Sequence, residues 1–61
     1  MTYEEWRKLV QGQFRRHGMS WTSSVQCELF TVSQAKSAFV GGQKPEAFAN
    51  AVYDKARGPF R

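Results

Sequence analysis

YEEWRKLVQGQFRRH, residues 3–17, is the stretch of sequence that decides the fold. Its large apolar side chains, Tyr3, Trp6, Val10 and Phe14, recur at i, i+3, i+7 and i+11. This spacing puts them on one face of an α-helix, while most of the charged residues fall on the other face. The stretch therefore predicts an amphipathic helix whose aromatic stripe must pack against the rest of the chain.

Local signals predict where this first helix begins and ends. Thr2 and Glu5 have the Thr-x-x-Glu spacing of a capping box. Arg15 and Arg16 fall in the expected last turn, where cations interact favourably with the helix dipole. Gly18 suits the left-handed residue that commonly follows a helix. We therefore expect the helix to run from about residue 3 to about residue 17.

Two more helices are predicted in the second half of the chain. Thr31 or Ser33 should begin the first of them, and Thr31 and Gln34 repeat the capping-box spacing. The glycine pair at 41–42 should end this helix. Pro45 suits the first position of a last helix, which the Gly-Pro pair at 58–59 should stop.

Residues 19–32 fit two patterns. A helix capped by Ser20 or Thr22 would carry Trp21, Val25 and Leu29 on one face. The alternation of apolar and polar residues over 25–31 would also suit a strand. Because nothing else in the chain reads as a strand that could pair with it, we expect a helix.

The length and composition bound the fold class. Sixty-one residues form one small domain, residues 1–61. A chain of this size buries only about 60% of the surface that its unfolded form exposes. One cysteine and one histidine leave no intrachain disulfide and no structural zinc site. We expect an all-α, compact bundle of three to four short helices, stabilised by aromatic packing or by formation of a homodimer.

Charge and hydropathy narrow the class of partner and the compartment. The formal net charge is +4, which favours anionic partners or serves solubility alone. No apolar run approaches the roughly 18 residues of a membrane span, and the polar start of the chain is unlike a signal peptide. The initial Met suggests a complete small reading frame, and the single thiol fits the reducing cytoplasm. We expect a cytoplasmic protein with no membrane partner.

No motif for catalysis or cofactor binding is present. His17 is the only histidine, and no paired carboxylates, nucleophile elbow or phosphate-binding loop can be found. The glycines before Lys44 lack the following Ser or Thr of a phosphate loop, so we expect an ordinary turn there. We expect Cys27 to be a small buried apolar residue. The prediction is a protein that is not an enzyme and takes no metal or cofactor.

The first functional hypothesis is a small regulatory or adaptor protein that binds a larger protein. Trp, Tyr and Arg dominate binding hot spots, and this chain has more of them than a tiny core should enclose. Trp21 and Phe60 are the aromatic residues that we expect to stay exposed. By analogy of size and composition only, such proteins resemble the accessory inhibitors of phages and mobile elements. The predicted partner-binding residues are Trp21, Arg7, Arg15, Arg16 and Phe60.

The alternative is a small basic regulator that binds nucleic acid. Neutralising a phosphate backbone requires clustered Lys and Arg, and the exposed face of the first helix offers the best cluster. The residues predicted for this role are Lys8, Arg15, Arg16, Lys36 and Lys44, with Lys55 and Arg57 as further contributors.

Overall fold

The computed structural model describes residues 1–58, which form four α-helices. The helices are α1 (Tyr3–Arg16), α2 (Trp21–Gln26), α3 (Val32–Val40) and α4 (Pro45–Arg57). They pack into a compact bundle, so the predicted all-α fold is confirmed. None of the four helices in this part of the chain is long and apolar enough to cross a membrane.

The first helix begins where the capping box predicts. The Thr2 hydroxyl accepts a hydrogen bond from the Glu5 N–H at 3.2 Å, and the Thr2 N–H donates to Glu5 Oε1 at 2.9 Å. Two of the unsatisfied N–H groups at the start of the helix are thereby paired. The bond from the Thr2 N–H also holds the pKa of the Glu5 carboxyl below its ordinary value of 4.5.

The predicted starts of the other helices are also confirmed. Thr31 and Gln34 form a second reciprocal box, with bonds of 2.9 and 3.1 Å. Ser20 caps α2 through its hydroxyl, which accepts from the Ser23 N–H at 3.1 Å. Pro45 is the first residue of α4, where its missing N–H costs no helical hydrogen bond.

The strand alternative for residues 25–31 is wrong, because these residues lie in α2 and the turn that follows it. The helix is shorter than its apolar spacing suggested and ends at Gln26. Glu28 adopts a left-handed conformation with φ of 60°, and the Leu29 N–H then bonds back to the Ser24 carbonyl. This closure turns the chain away from the helix axis, so Leu29 does not continue the helical face.

The ends of α1 and α3 have the same geometry as that of α2. In α1 the Gly18 N–H bonds to the Arg15 carbonyl and the Met19 N–H to the Phe14 carbonyl. In α3 the corresponding left-handed residue is Gly42. All three endings are Schellman motifs, which pair carbonyl groups that the end of a helix leaves open. Only α2 places a residue with a side chain at the left-handed position.

The core is a continuous network of aromatic rings from all four helices and the turn before α3. Neighbouring ring centroids lie 4.9 to 6.4 Å apart, which is the range in which aromatic pairs attract one another. The network consists of Tyr3, Trp6, Phe14, Trp21, Phe30, Phe39 and Phe48. Aromatic packing thus contributes to the stability of this short chain.

Helix α1 lies at the centre and contacts both α3 and α4. The Trp6 indole N–H near its start donates to the Gln43 carbonyl at 2.8 Å, in the turn between α3 and α4. Near its end, His17 stacks on Tyr53 of α4 with ring centroids 3.9 Å apart. These contacts follow the same order along both helices, so α1 and α4 run in the same general direction.

Candidate functional site

Trp21 is buried in the aromatic core, so the prediction that it stays exposed is wrong. Only 7% of its surface is exposed to solvent. Its ring packs edge-on against Phe30, with ring centroids 4.9 Å apart. The cause is tertiary: the Ser20 cap starts α2 with Trp21 as its first residue, and the indole packs against Phe14 of α1 as well. An anchor role for Trp21 would therefore require it to leave the core.

The predicted partner-binding set is only partly brought together. The Arg7 guanidinium lies 4.8 Å from the centre of the Trp21 ring and covers its outer face. Arg15 and Arg16 are exposed, at the far end of α1 from Arg7. Phe60 lies outside the described residues. Arg7 thus contacts Trp21, whereas Arg15 and Arg16 lie apart from both.

The residues predicted for nucleic-acid binding are all exposed but do not form one patch. Lys36 lies over the Tyr3 ring at 5.9 Å, and Lys44 precedes α4, so both are near the start of α1. Arg15 and Arg16 are in its last turn, and the 14-residue helix is about 21 Å long. Lys8, between them, lies in a shallow surface cleft beside Glu4, Arg7 and Gln11.

A groove between α3 and α4 has a volume of about 530 Å³. Its floor includes the Phe30 and Phe48 rings, which meet edge-to-face with centroids 5.2 Å apart. Its walls include short side chains, Ser33, Ser37 and Ala38 from α3 and Ala51 from α4, together with the longer Gln34 and Gln43. We call this surface the α3–α4 groove.

Sequence reasoning missed the α3–α4 groove because none of its wall residues is distinctive. The one available signal was the recurrence of small side chains on α3, with Ser33 and Ser37 one turn apart. Lys55 is the only charged residue that lines the groove in the described part of the chain, and no carboxylate lines it. The groove therefore combines an apolar floor with a single positive charge at its rim.

The groups that could support chemistry are not gathered at a site. Cys27 is exposed, so the expectation of a buried thiol is wrong: α2 ends one residue earlier and Cys27 lies in the turn. His17 is held between the end of α1 and Tyr53, and Arg57 lies 5.7 Å from the Tyr53 ring. Among residues 1–58, no group of three His, Cys, Asp or Glu side chains could hold a metal ion.

Fold and surface together define a small all-α domain with an apolar, basic-rimmed groove between its last two helices. No family model matches the chain, and neither the curated proteins nor the solved structures contain a match to it.

Proposed function

We propose that this chain is a small protein-binding module, of a regulatory or adaptor kind and without enzymatic activity, that takes a segment of a larger protein into the α3–α4 groove. The groove is the observation that carries the proposal. Binding grooves are concave, largely apolar and marked by a few polar groups that orient the ligand, and this groove has that composition.

The proposal keeps a protein partner but moves the binding surface. The aromatic–arginine surface expected from composition depended on an exposed Trp21, and that side chain is enclosed by Arg7 and the core. The α3–α4 groove instead offers half-buried Leu29 and Ala38, together with exposed Ala51. Covering these apolar surfaces on binding would be favourable.

Two alanine positions of α4 give a matched test. Ala51 and Ala47 are both exposed on the same helix, one turn apart, but only Ala51 lines the groove. Ala51→Trp should occupy the groove with an indole, whereas Ala47→Trp should add the same side chain outside it. Circular dichroism checks that both variants fold.

The assay is capture of proteins from a nuclease-treated lysate of the source cells, read by mass spectrometry. We expect a protein that the unchanged chain and Ala47→Trp both retain and that Ala51→Trp loses. Equal retention by Ala51→Trp, or no retained protein at all, would argue against a groove-binding function.

Nucleic-acid binding is the second candidate function, and the free cations of α1 favour it. Within residues 1–58 the one ion pair closer than 4 Å joins Arg57 to Asp54, at 3.8 Å. Lys8, Arg15 and Arg16 thus have no carboxylate within 4 Å in that part of the chain. Unpaired surface cations are the groups that neutralise phosphates.

Salt dependence distinguishes this candidate from the first. If the protein binds nucleic acid through α1, its affinity for a random duplex should fall steeply between low and moderate salt. The double change Arg15→Ala and Arg16→Ala should weaken binding to all sequences about equally and flatten the salt slope. If the double variant has the same salt dependence as the unchanged protein, the cations of α1 would no longer support nucleic-acid binding.

A further inference from the structure

We infer that the occupant of the α3–α4 groove is an acidic amphipathic α-helix of a partner protein, about two turns of which enter the groove. This inference rests on the proposed function and adds the shape and charge of the bound segment. It follows from the length of the groove, the size of its wall residues and the sign of its charge.

The length of the groove matches a short helical segment. On α4 its lining extends from Phe48 to Lys55, seven residues apart, which corresponds to about 10 Å along a helix. Apolar side chains at i, i+3 or i+4, and i+7 of a bound helix span the same distance. Two turns of helix would therefore align their apolar face with the groove.

The walls allow the backbone of such a helix to come close. Ser33, Ser37 and Ala38 on one side and Ala51 on the other have short side chains, so a helix can approach closely at these positions. The longer side chains of the lining, Gln34, Gln43 and Lys55, are flexible. Close approach of backbones across small residues favours an incoming helix, whose side chains then reach the floor beside Phe30.

The positive charge of the groove favours a partner segment with negative charge. Lys55 is the one ionised residue that lines it in the described chain. A glutamate or aspartate beside the apolar stripe of the bound helix would meet the Lys55 ammonium at the rim. Complementary charge of this kind favours acidic over basic partners.

The same charge disfavours a second copy of this chain as the occupant. Val40 is the most exposed of the large apolar residues in the described chain, at 82%, and is the natural anchor of a docked copy. Lys36 lies one turn before Val40 on α3, so that copy would bring a cation to the basic rim. Like charges facing each other across an interface oppose association.

The test uses two synthetic helical peptides with the same stripe of leucines, flanked by glutamates in one and by lysines in the other. Binding is measured by fluorescence anisotropy, and the contact surface by chemical-shift changes in the isotope-labelled protein. We expect the acidic peptide to bind about tenfold more tightly than its basic twin and to shift resonances of Ser37, Ala51 and Lys55.

Two substitutions separate a local charge from the overall charge. Lys55→Gln and Asn50→Glu each lower the net charge by one at an exposed position of α4, but only Lys55 lines the groove. We expect Lys55→Gln to remove the preference for the acidic peptide and Asn50→Glu to keep it. An equal loss in both variants would overturn the inference, since net charge alone would then explain the preference.

The remaining outcomes distinguish this inference from the proposed function. If Ala51→Trp loses a captured partner and Lys55→Gln does not, the groove-binding function is supported. The inference that the occupant is an acidic helix is then overturned. Failure of both peptides to shift groove resonances would also overturn it. A homodimer that Ala51→Trp abolishes would show that a second copy is the occupant, which again overturns it.

Discussion

The turn after α2 contains a backbone strain that a single substitution should relieve. Glu28 has φ of 60°, in the left-handed region that side chains disfavour. This conformation costs an L-residue about 1–2 kcal/mol. A glycine avoids that cost, but it loses about 0.5–1 kcal/mol more in conformational entropy on folding. We therefore expect Glu28→Gly to raise the free energy of unfolding by about 0.5–1 kcal/mol.

The chain contains its own controls for this prediction. Gly18 and Gly42 occupy the same position in the other two Schellman motifs, with φ of 70° and 83°. A Cβ built on either glycine meets no atom within 4 Å, so only backbone conformation opposes a side chain there. Gly18→Ala and Gly42→Ala should each lower the free energy of unfolding by about as much as Glu28→Gly raises it.

Removal of the Glu28 charge has to be separated from relief of the strain. A carboxylate at the end of α2 is unfavourable by a few tenths of a kcal/mol, because the helix dipole is negative there. Glu28→Ala removes the carboxylate and keeps the Cβ, so the difference between Glu28→Gly and Glu28→Ala isolates the backbone effect.

Urea unfolding followed by tryptophan fluorescence measures these differences, since Trp6 and Trp21 are both buried. For a domain of this size, the expected gain in Glu28→Gly corresponds to an increase in Tm of about 2–8 °C. Equal stability of Glu28→Gly and Glu28→Ala, with the expected loss in the two glycine variants, would refute a strained left-handed residue after α2.

Three further predictions concern stability. Gly12→Ala should raise the free energy of unfolding by about 1 kcal/mol in urea unfolding, because Gly12 is exposed within α1 and a Cβ there meets nothing within 4 Å; a loss would mean that something approaches this face. Tyr3→Phe should raise it by about 1 kcal/mol, since the buried Tyr3 hydroxyl has no hydrogen-bond partner among the described residues; a thermal scan that shows a lower Tm would reveal a hidden partner. The lowered pKa of Glu5 stabilises the fold above pH 4.5, and this stabilisation should be lost as the pH falls through the folded-state pKa. In Glu5→Gln, which keeps the capping geometry seen at Gln34, acid titration by circular dichroism should lack that loss; the same acid transition in both proteins would contradict it.

The helices could be predicted from sequence because their boundaries are local. Thr2 and Thr31 each specify a capping box within four residues, and Pro45 begins a helix by its fixed φ. The end of α2 could not be predicted in the same way. Glu28 takes a left-handed conformation without being Gly or Asn, so its residue type carries no signal for the turn that its backbone makes.

The α3–α4 groove lay beyond sequence reasoning for a different reason. A groove depends on the distance between two helices. That distance is set by how each helix packs against a third element, and the hydrophobic periodicity of either helix does not encode it. Helix α4 packs along α1, while Phe39 anchors the end of α3 beside Tyr3 and Trp6. The short side chains at 33, 37 and 51 then leave the space between α3 and α4 open.

The aromatic content of this chain shows why composition wrongly predicted an exposed Trp21. A domain of 61 residues with one cysteine has no disulfide to stabilise it, so its large rings are needed inside. Trp21 illustrates this: the residue type most typical of a binding hot spot is enclosed by Phe14, Phe30 and Arg7. The core thus uses most of the large aromatic side chains, and the α3–α4 groove is lined in part by small residues and Lys55. In such a short chain, an excess of tryptophan therefore indicates an aromatic core rather than an exposed aromatic surface.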